Sequence, residues 1–323
     1  MESDILNVMK ESIGNTSFVE LKDASLPNGN RIFAKLEYEN PTESHYDRVY
    51  AELFSSLESE GKIERRKTKL VEVSSGTAAI SFAWFCSQLG YLSKVILPNI
   101  MAKKFFSEYI NEPTEIIISQ KNKYVSGAVD TLKEFLVNHK DYYAINHSRR
   151  EISLLGTERI GKEISEFFDK QGIKPDYFFP ACGNGISILG PGRILKKNFP
   201  NMKIVTFEDE NAPVGYKIKY PELYQEKFGK HFINKPHHLF GTSAWGVYFP
   251  FIMDEKYEFN KLVDDVLLIK DLDWWNYDEE LQKSGFNVGS TSLASYLVAK
   301  RISQEVSNKI FVIIFYDKRS KYF

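Results

Sequence analysis

The sequence predicts an α/β protein with mostly parallel sheets and helices on both faces, and three observations carry that prediction. Short apolar runs of strand length alternate with longer stretches of helical periodicity along most of the chain. Small-residue turns lead from strand directly into helix, the half-unit of a parallel β-α-β crossover: Lys69–Val73, then Ser74-Ser75-Gly76-Thr77, then Ala78–Leu89. Finally, 43% hydrophobic and 14% aromatic residues in a chain of 323 supply a core for one large domain or two closely joined ones.

The elements follow in order. Residues 1–12 carry Ile5, Leu6 and Met9 at helical spacing. A turn at Pro27-Asn28-Gly29-Asn30 opens strand 31–37, which delivers the chain to the polar segment Asn40–Arg48. Val49, Leu53 and Leu57 set a helix over 47–60 that ends near Gly61. Strand 69–73 and helix 78–89, stopped by Gly90, come next. Strands 94–98, 115–118 and 142–145 alternate with helices 102–110 and 126–138. The polar stretch 146–152, with His147, Arg149 and Arg150, reads as a crossover. Helix 157–171 puts Ile160, Ile164 and Phe167 on one face. Strand 177–180, the glycine loop 181–187, helix 188–198 and strand 203–208 continue the alternation, and helix 292–306 with strand 309–314 closes it.

A formal net charge of −1 and no basic stripe speak against a nucleic-acid partner, and the run Lys62–Lys69 reads as a solvated helix end or loop. Cys86 and Cys182 lie far apart in apolar or glycine-rich surroundings, which gives neither a disulfide framework nor a metal spacing. No histidine pair has metal-ligand spacing with a matching carboxylate, so no metal is expected. The start MESDILNVMKES lacks the cationic-then-apolar pattern of a signal peptide, and no uncharged apolar run reaches membrane-spanning length. A soluble cytoplasmic protein without a membrane partner is expected.

Six motifs occur in one order: Ile13-Gly14-Asn15-Thr16-Ser17-Phe18-Val19-Glu20-Leu21; Asn40-Pro41-Thr42-Glu43-Ser44-His45-Tyr46-Asp47-Arg48; Ser74-Ser75-Gly76-Thr77-Ala78; Gly183-Asn184-Gly185-Ile186-Ser187; Gly289-Ser290-Thr291-Ser292; and Asp317-Lys318-Arg319-Ser320-Lys321-Tyr322. Together they resemble the fold-type II pyridoxal-phosphate enzymes, the superfamily of cysteine synthase and threonine synthase, whose signature runs roughly N-P-x-x-S-x-K-D-R. The resemblance implies the two-lobed, tryptophan synthase beta-like fold and a homodimer. It implies a small mobile lobe over 40–150 that carries the carboxylate-binding loop, and a large lobe made of 1–39 plus 151–323. A ligand cleft should lie between the lobes, at the carboxyl ends of the strands.

The resemblance also implies roles. The Ser74, Ser75, Gly76 and Thr77 loop would hold a substrate carboxylate, for which helix-start amides and hydroxyls are suited; His147 joins it as a substrate-binding candidate. Gly183, Asn184, Gly185, Ile186 and Ser187 would form the cofactor's phosphate cup, with Ile186 in a glycine position and expected to crowd an anion. Thr77 stands where the family's asparagine meets the cofactor ring hydroxyl. Ser290, with Ser292 close behind, would meet the pyridine nitrogen. Ordinary helix capping accounts for both serine segments equally well. His237 and His238 precede Gly241-Thr242, in a region similar to the family's H-K-x-x-G-I-G run.

The departure is at position 46. The family's lysine holds the cofactor as a Schiff base, and here that residue is Tyr46, a phenol that forms no imine. Lys35, in a strand that carries a lysine in ordinary members too, is a poor replacement, and Lys103 and Lys104 read as solvated. Tyr46 and His45 are the remaining catalytic candidates; as a base Tyr46 would need a lowered pKa, with Arg48 helping if it faces inward. The expectation is a cysteine-synthase-like protein acting on a small amino acid, of β-elimination or β-replacement ancestry (a lyase or transferase), without the lysine linkage. Pyridoxal phosphate would be held non-covalently or not at all. The alternatives are a catalytically silent homologue serving as metabolite sensor or protein-binding partner, and a cofactor-free amino acid enzyme.

Overall fold

A computed structural model describes residues 2–22, 26–98, 108–110, 112–119, 124–233, 235–239, 241–242 and 250–322. The chain builds two sheets. The larger has six strands in the order β1 (Phe18–Glu20), β2 (Arg31–Leu36), β10 (Ile310–Phe315), β7 (Tyr177–Phe178), β8 (Lys203–Asp209), β9 (Asp265–Ile269). Only the β1–β2 pair is antiparallel. The smaller sheet is wholly parallel, in the order β5 (Thr114–Ile118), β4 (Ser93–Leu97), β3 (Lys69–Val73), β6 (Tyr142–Ala144). The predicted α/β class with parallel sheets is what the structure contains.

The main helices are α1 (Glu2–Glu11), α2 (Tyr46–Ser59), α3 (Ala78–Leu89), α4 (Tyr124–Asn138), α5 (Ile152–Gln171), α6 (Ile186–Asn198) and α7 (Ser290–Ser303). Gly90 ends α3 at φ +76, the left-handed cap that glycine accepts without a Cβ clash. Helix α5 starts five residues before the predicted 157, because Gly156 does not break it. A Cβ there would lie 2.3 Å from the Arg48 carbonyl oxygen, so the glycine lets α5 and α2 touch backbone to backbone. The predicted helix 102–110 falls largely outside the described residues.

The six-stranded sheet is backed by a core that includes Phe33, Ile160, Phe168, Phe207, Leu293 and Ile313. A second core joins α2, α3 and the starts of α5 and α6 through Tyr50, Phe54, Phe82, Leu154 and Leu189. Burying large apolar side chains contributes about 1.5–3 kcal/mol each. These two cores therefore fix where the first turns of α2, α3 and α6 meet. Among the described residues, no helix is long and apolar enough to cross a membrane.

Candidate functional site

The first turns of α2, α3 and α6 and the start of α7 border a cleft of about 670 Å³. Its walls include His45, Tyr46, the whole Ser74–Thr77 turn, His147, Gly183, Asn184 and Ser187, so most of the sequence-predicted candidates come together. Gly185 and Ile186 are not in the lining, and neither is Ser290.

The signature segment divides at the helix start. Asp47 turns inward, where its carboxylate accepts from the Thr42 amide at 2.7 Å and from the Thr42 and Ser81 hydroxyls. Burial lifts its pKa to about 6, opposed by those donors. Arg48 is fully buried. Its Nε and Nη2 donate to both Glu37 oxygens at 2.7 and 2.8 Å, and Nη1 and Nη2 donate to Glu163 at 2.6 and 2.8 Å. Burial drives the Glu163 carboxyl up, but the Arg48 guanidinium overrides it and holds the group down at about 2. Arg48 is thus committed to two carboxylates and is no help to Tyr46.

Tyr46 is half-buried, with its ring edge-on to His147 at 5.4 Å and 4.2 Å from the His45 ring, which in turn lies 5.1 Å from Tyr316. Burial pushes the phenol's pKa up, and the Asp317 and Glu72 carboxylates push it further, against a hydrogen bond with Asn184. The lowered pKa that a tyrosine base requires is not found. At neutral pH Tyr46 is a proton donor. His45 is depressed to about 4 by burial, so its imidazole is neutral. Its Nε2 lies 3.5 Å from Ser187 Oγ, and its buried Nδ1 has no hydrogen-bond partner among the described residues.

The remaining candidates are placed as follows. Ser74 Oγ accepts from the Gly76 amide at 3.1 Å and shapes the turn before α3. Thr77 faces the cleft, yet its hydroxyl is engaged by Ser44 at 3.0 Å and donates to Asp317 at 3.3 Å, so it is already partnered by protein. Ile186, expected to crowd the phosphate cup, has its side chain fully buried in the core beneath α6. Asn184 Oδ1 accepts from the Ile186 amide at 3.1 Å. At the start of α7 it is Thr291 that lines the cleft, while Ser290 is fully buried and does not. His237 is buried with its Nδ1 accepting from the Leu239 amide, and His238 pairs with Asp271; neither lines the cleft.

Several cleft residues escaped the sequence reading: Ser148, Thr291, Tyr316, Asp317 and Tyr322. Asp317 is buried, and burial raises its carboxyl to about 7 against donation from Tyr322 and Thr77. Its Oδ1 has no partner among the described residues. The motif ending Asp317…Tyr322 was visible in the sequence, but nothing in its spacing told that both ends turn into the cleft.

A pyridoxal phosphate held in the family's manner needs an anion cup and an amine. Of the cup, Gly183 and Ser187 line the cleft at the N-terminus of the thirteen-residue α6, whereas Gly185, at φ +100, packs against Ile252, which a Cβ would meet at 2.7 Å. No lysine among the described residues lines the cleft, and Lys35 Nζ is spent on Thr16 and on Glu163 at 2.7 Å. The described residues of the cleft do not fit a covalently held cofactor.

Comparison with known proteins places this site in a family. A family profile described as pyridoxal-phosphate dependent enzyme matches residues 9–317. A cysteine synthase of Staphylococcus aureus (strain Mu50 / ATCC 700699) is 31% identical over 205 residues, 62% of this chain and 64% of that protein, so the match spans under two thirds of the relative's length. Cysteine synthase B of Campylobacter jejuni is 27% identical over 314 residues, 97% of this chain and 96% of its own. Among solved structures, a hydrogen sulfide-producing enzyme (Fn1220) from Fusobacterium nucleatum superposes with a TM-score of 0.83 at 25% identity, over 98% of this chain and 99% of that one. With the family profile spanning nearly the whole chain, this protein belongs to the pyridoxal-phosphate dependent enzyme family.

Proposed function

We propose that the cleft binds a small amino acid, in the manner of a cysteine-synthase-like protein of β-elimination or β-replacement ancestry, without a lysine-linked cofactor. The observation that carries this reading is Tyr46: it lines the cleft where the resemblance puts the amine, it is held protonated, and among the described residues no lysine lines the cleft to replace it. The amino acid carboxylate docks on the turn Ser74–Gly76, whose amides and hydroxyls precede α3. In this reading residues 40–150 form a small lobe that closes on a large lobe of 1–39 and 151–323, in a cytoplasmic homodimer. Any pyridoxal phosphate present rests in the Gly183–Ser187 cup without a covalent bond.

An absorbance scan with borohydride reduction tests this. Purified protein incubated with pyridoxal phosphate should yield no reduced covalent adduct by mass analysis, while Tyr46→Lys should yield one at residue 46. A borohydride-stable adduct in the wild-type chain would overturn the proposal, because it would reveal an amine serving in place of Tyr46. Calorimetric titration with L-serine and O-acetyl-L-serine checks the ligand class, and no binding of either would reject it.

A further inference from the structure

Glu72 is a charged residue in the otherwise apolar end of β3, and it is 2% exposed. Its Oε1 accepts from the Val73 amide at 2.8 Å, and its Oε2 accepts from the His147 amide at 3.0 Å. The same Oε2 lies 3.1 Å from His147 Nδ1 and accepts from the Tyr50 hydroxyl at 3.3 Å, and that hydroxyl oxygen is itself 3.2 Å from Nδ1. On the other edge of the imidazole, Nε2 is 3.1 Å from Ser148 Oγ, which also accepts from Asn184 Nδ2 at 3.2 Å. The network assigns the tautomer. A carboxylate can only accept, so Nδ1 carries the proton, facing Glu72 and the Tyr50 hydroxyl oxygen; Nε2 of the neutral ring is then the acceptor, and the Ser148 hydroxyl donates to it.

A serine hydroxyl donating to an imidazole that a buried carboxylate orients is the arrangement that activates a serine nucleophile, and it is recognised by geometry, not by chain order. Ser148 and His147 line the same cleft as the Ser74–Gly76 turn and Tyr46. We propose that Ser148, His147 and Glu72 act as nucleophile, base and orienting carboxylate in cleaving an ester on the side chain of a small amino acid held by the Ser74–Gly76 turn. This rests on the amino acid reading above for its substrate and on the hydrogen-bond chain for its chemistry.

The steps balance with water as the only co-reactant. Ser148 Oγ attacks the ester carbonyl carbon as its proton passes to His147 Nε2. The C–O bond to the amino acid breaks, and its oxygen takes that proton and leaves as the alcohol. Water then attacks the acyl carbon and gives a proton to Nε2, and Ser148 departs with that proton as the carboxylic acid is released. Tyr46, whose phenol lines the cleft and keeps its proton at neutral pH, supplies a hydrogen bond to the oxygen that becomes negative in each addition. Glu72 touches no reacting atom and is a positioning residue.

The test is labelling of the full-length chain with an alkyl fluorophosphonate, read by intact mass and peptide mapping. The expected result is one adduct, on Ser148, absent in Ser148→Ala. Its rate should fall by about a hundred- to ten-thousand-fold in His147→Gln, the loss expected for a general base. Glu72→Gln should slow labelling and alter its pH profile, and Glu72→Asp should recover part of the rate, a rescue that a merely packing role does not produce. O-acetyl-L-serine should slow labelling and be hydrolysed to serine and acetate. No adduct on Ser148 in the wild-type chain overturns the proposal, as does an undiminished rate in His147→Gln. If L-serine binds by calorimetry but Ser148 stays unlabelled, the nucleophile fails and the amino acid reading stands. If Ser148 is labelled but no amino acid protects it, the substrate class is wrong.

Discussion

Positions 46 and 48 stand two residues apart in the first turn of α2 and have opposite surroundings. Residues so spaced on a helix do not share a face. Tyr46 looks into the cleft, where its neighbours are rings and a ligand space; Arg48 looks away, into Glu37 and Glu163, with no exposed atoms. In the reading proposed above, Tyr46 stands at the lysine position of the signature and Arg48 at its arginine position. The difference teaches that the signature contains two separable parts. One holds the helix against α5, and its members cannot change singly without stranding a buried charge. The other supplies a reagent, and its surroundings constrain it far less.

The comparison can be broken most directly at Arg48. Arg48→Ala leaves Glu37 buried without its guanidinium and is expected to cost about 3–5 kcal/mol in urea unfolding. A loss below about 1 kcal/mol, typical of an exposed pair, would mean that the clamp is not what preserves the segment. Next comes the seat of the clamp. In Gly156→Ala the new methyl meets the Arg48 carbonyl, so a loss near the upper end of overpacking penalties, about 3 kcal/mol, is expected from the same measurement. An unchanged midpoint would show that α2 and α5 can separate freely.

The cleft side is sharpened by pH. The Asp317 carboxyl titrates near 7 in the folded chain against 3.8 ordinarily, so the folded state binds the extra proton between those values. Its contribution is therefore most favourable below about pH 4 and is lost as pH rises through 7. Asp317→Asn, which removes that titration and keeps an oxygen for Tyr322 and Thr77, should stabilise the chain by on the order of 2 kcal/mol more at pH 8 than at pH 5. Thermal melts at the two pH values read the difference, and equal shifts at both would place the penalty elsewhere.

Much of this architecture was legible because apolar spacing and turn residues act locally. The strands Lys69–Val73 and Lys203–Asp209 and the end of α3 at Gly90 stand within a residue of where periodicity puts them. Helix α5 was read short because a glycine next to polar crossover residues looks like a boundary, and only its close approach to Arg48 explains it. β9 was missed because five residues, the first of them acidic and set between Asp264 and Lys270, carry too little pattern to stand out. In the site, the motif order located the cleft walls, but side-chain direction was beyond reach. In the run Gly289-Ser290-Thr291-Ser292 three hydroxyls compete, and the helix rotation decides that Thr291 faces inward. Ser148 sat in a stretch read as a connector, and its pairing with Glu72 through His147 spans residues that only the β3–β6 neighbourhood brings together. A lone acid within a parallel strand was the available hint.

The backbone contact at Gly156 reaches beyond stability. Because α2 is anchored from its second and third residues onward, its first residue is a fitting that can be exchanged without rebuilding the frame. In the reading proposed above, exchanging an amine for a phenol at that residue leaves the Arg48 pairs and the α2–α5 contact untouched. Descendants of such a scaffold can retire one chemistry and recruit another from groups already in the wall, long before their sequences cease to look alike.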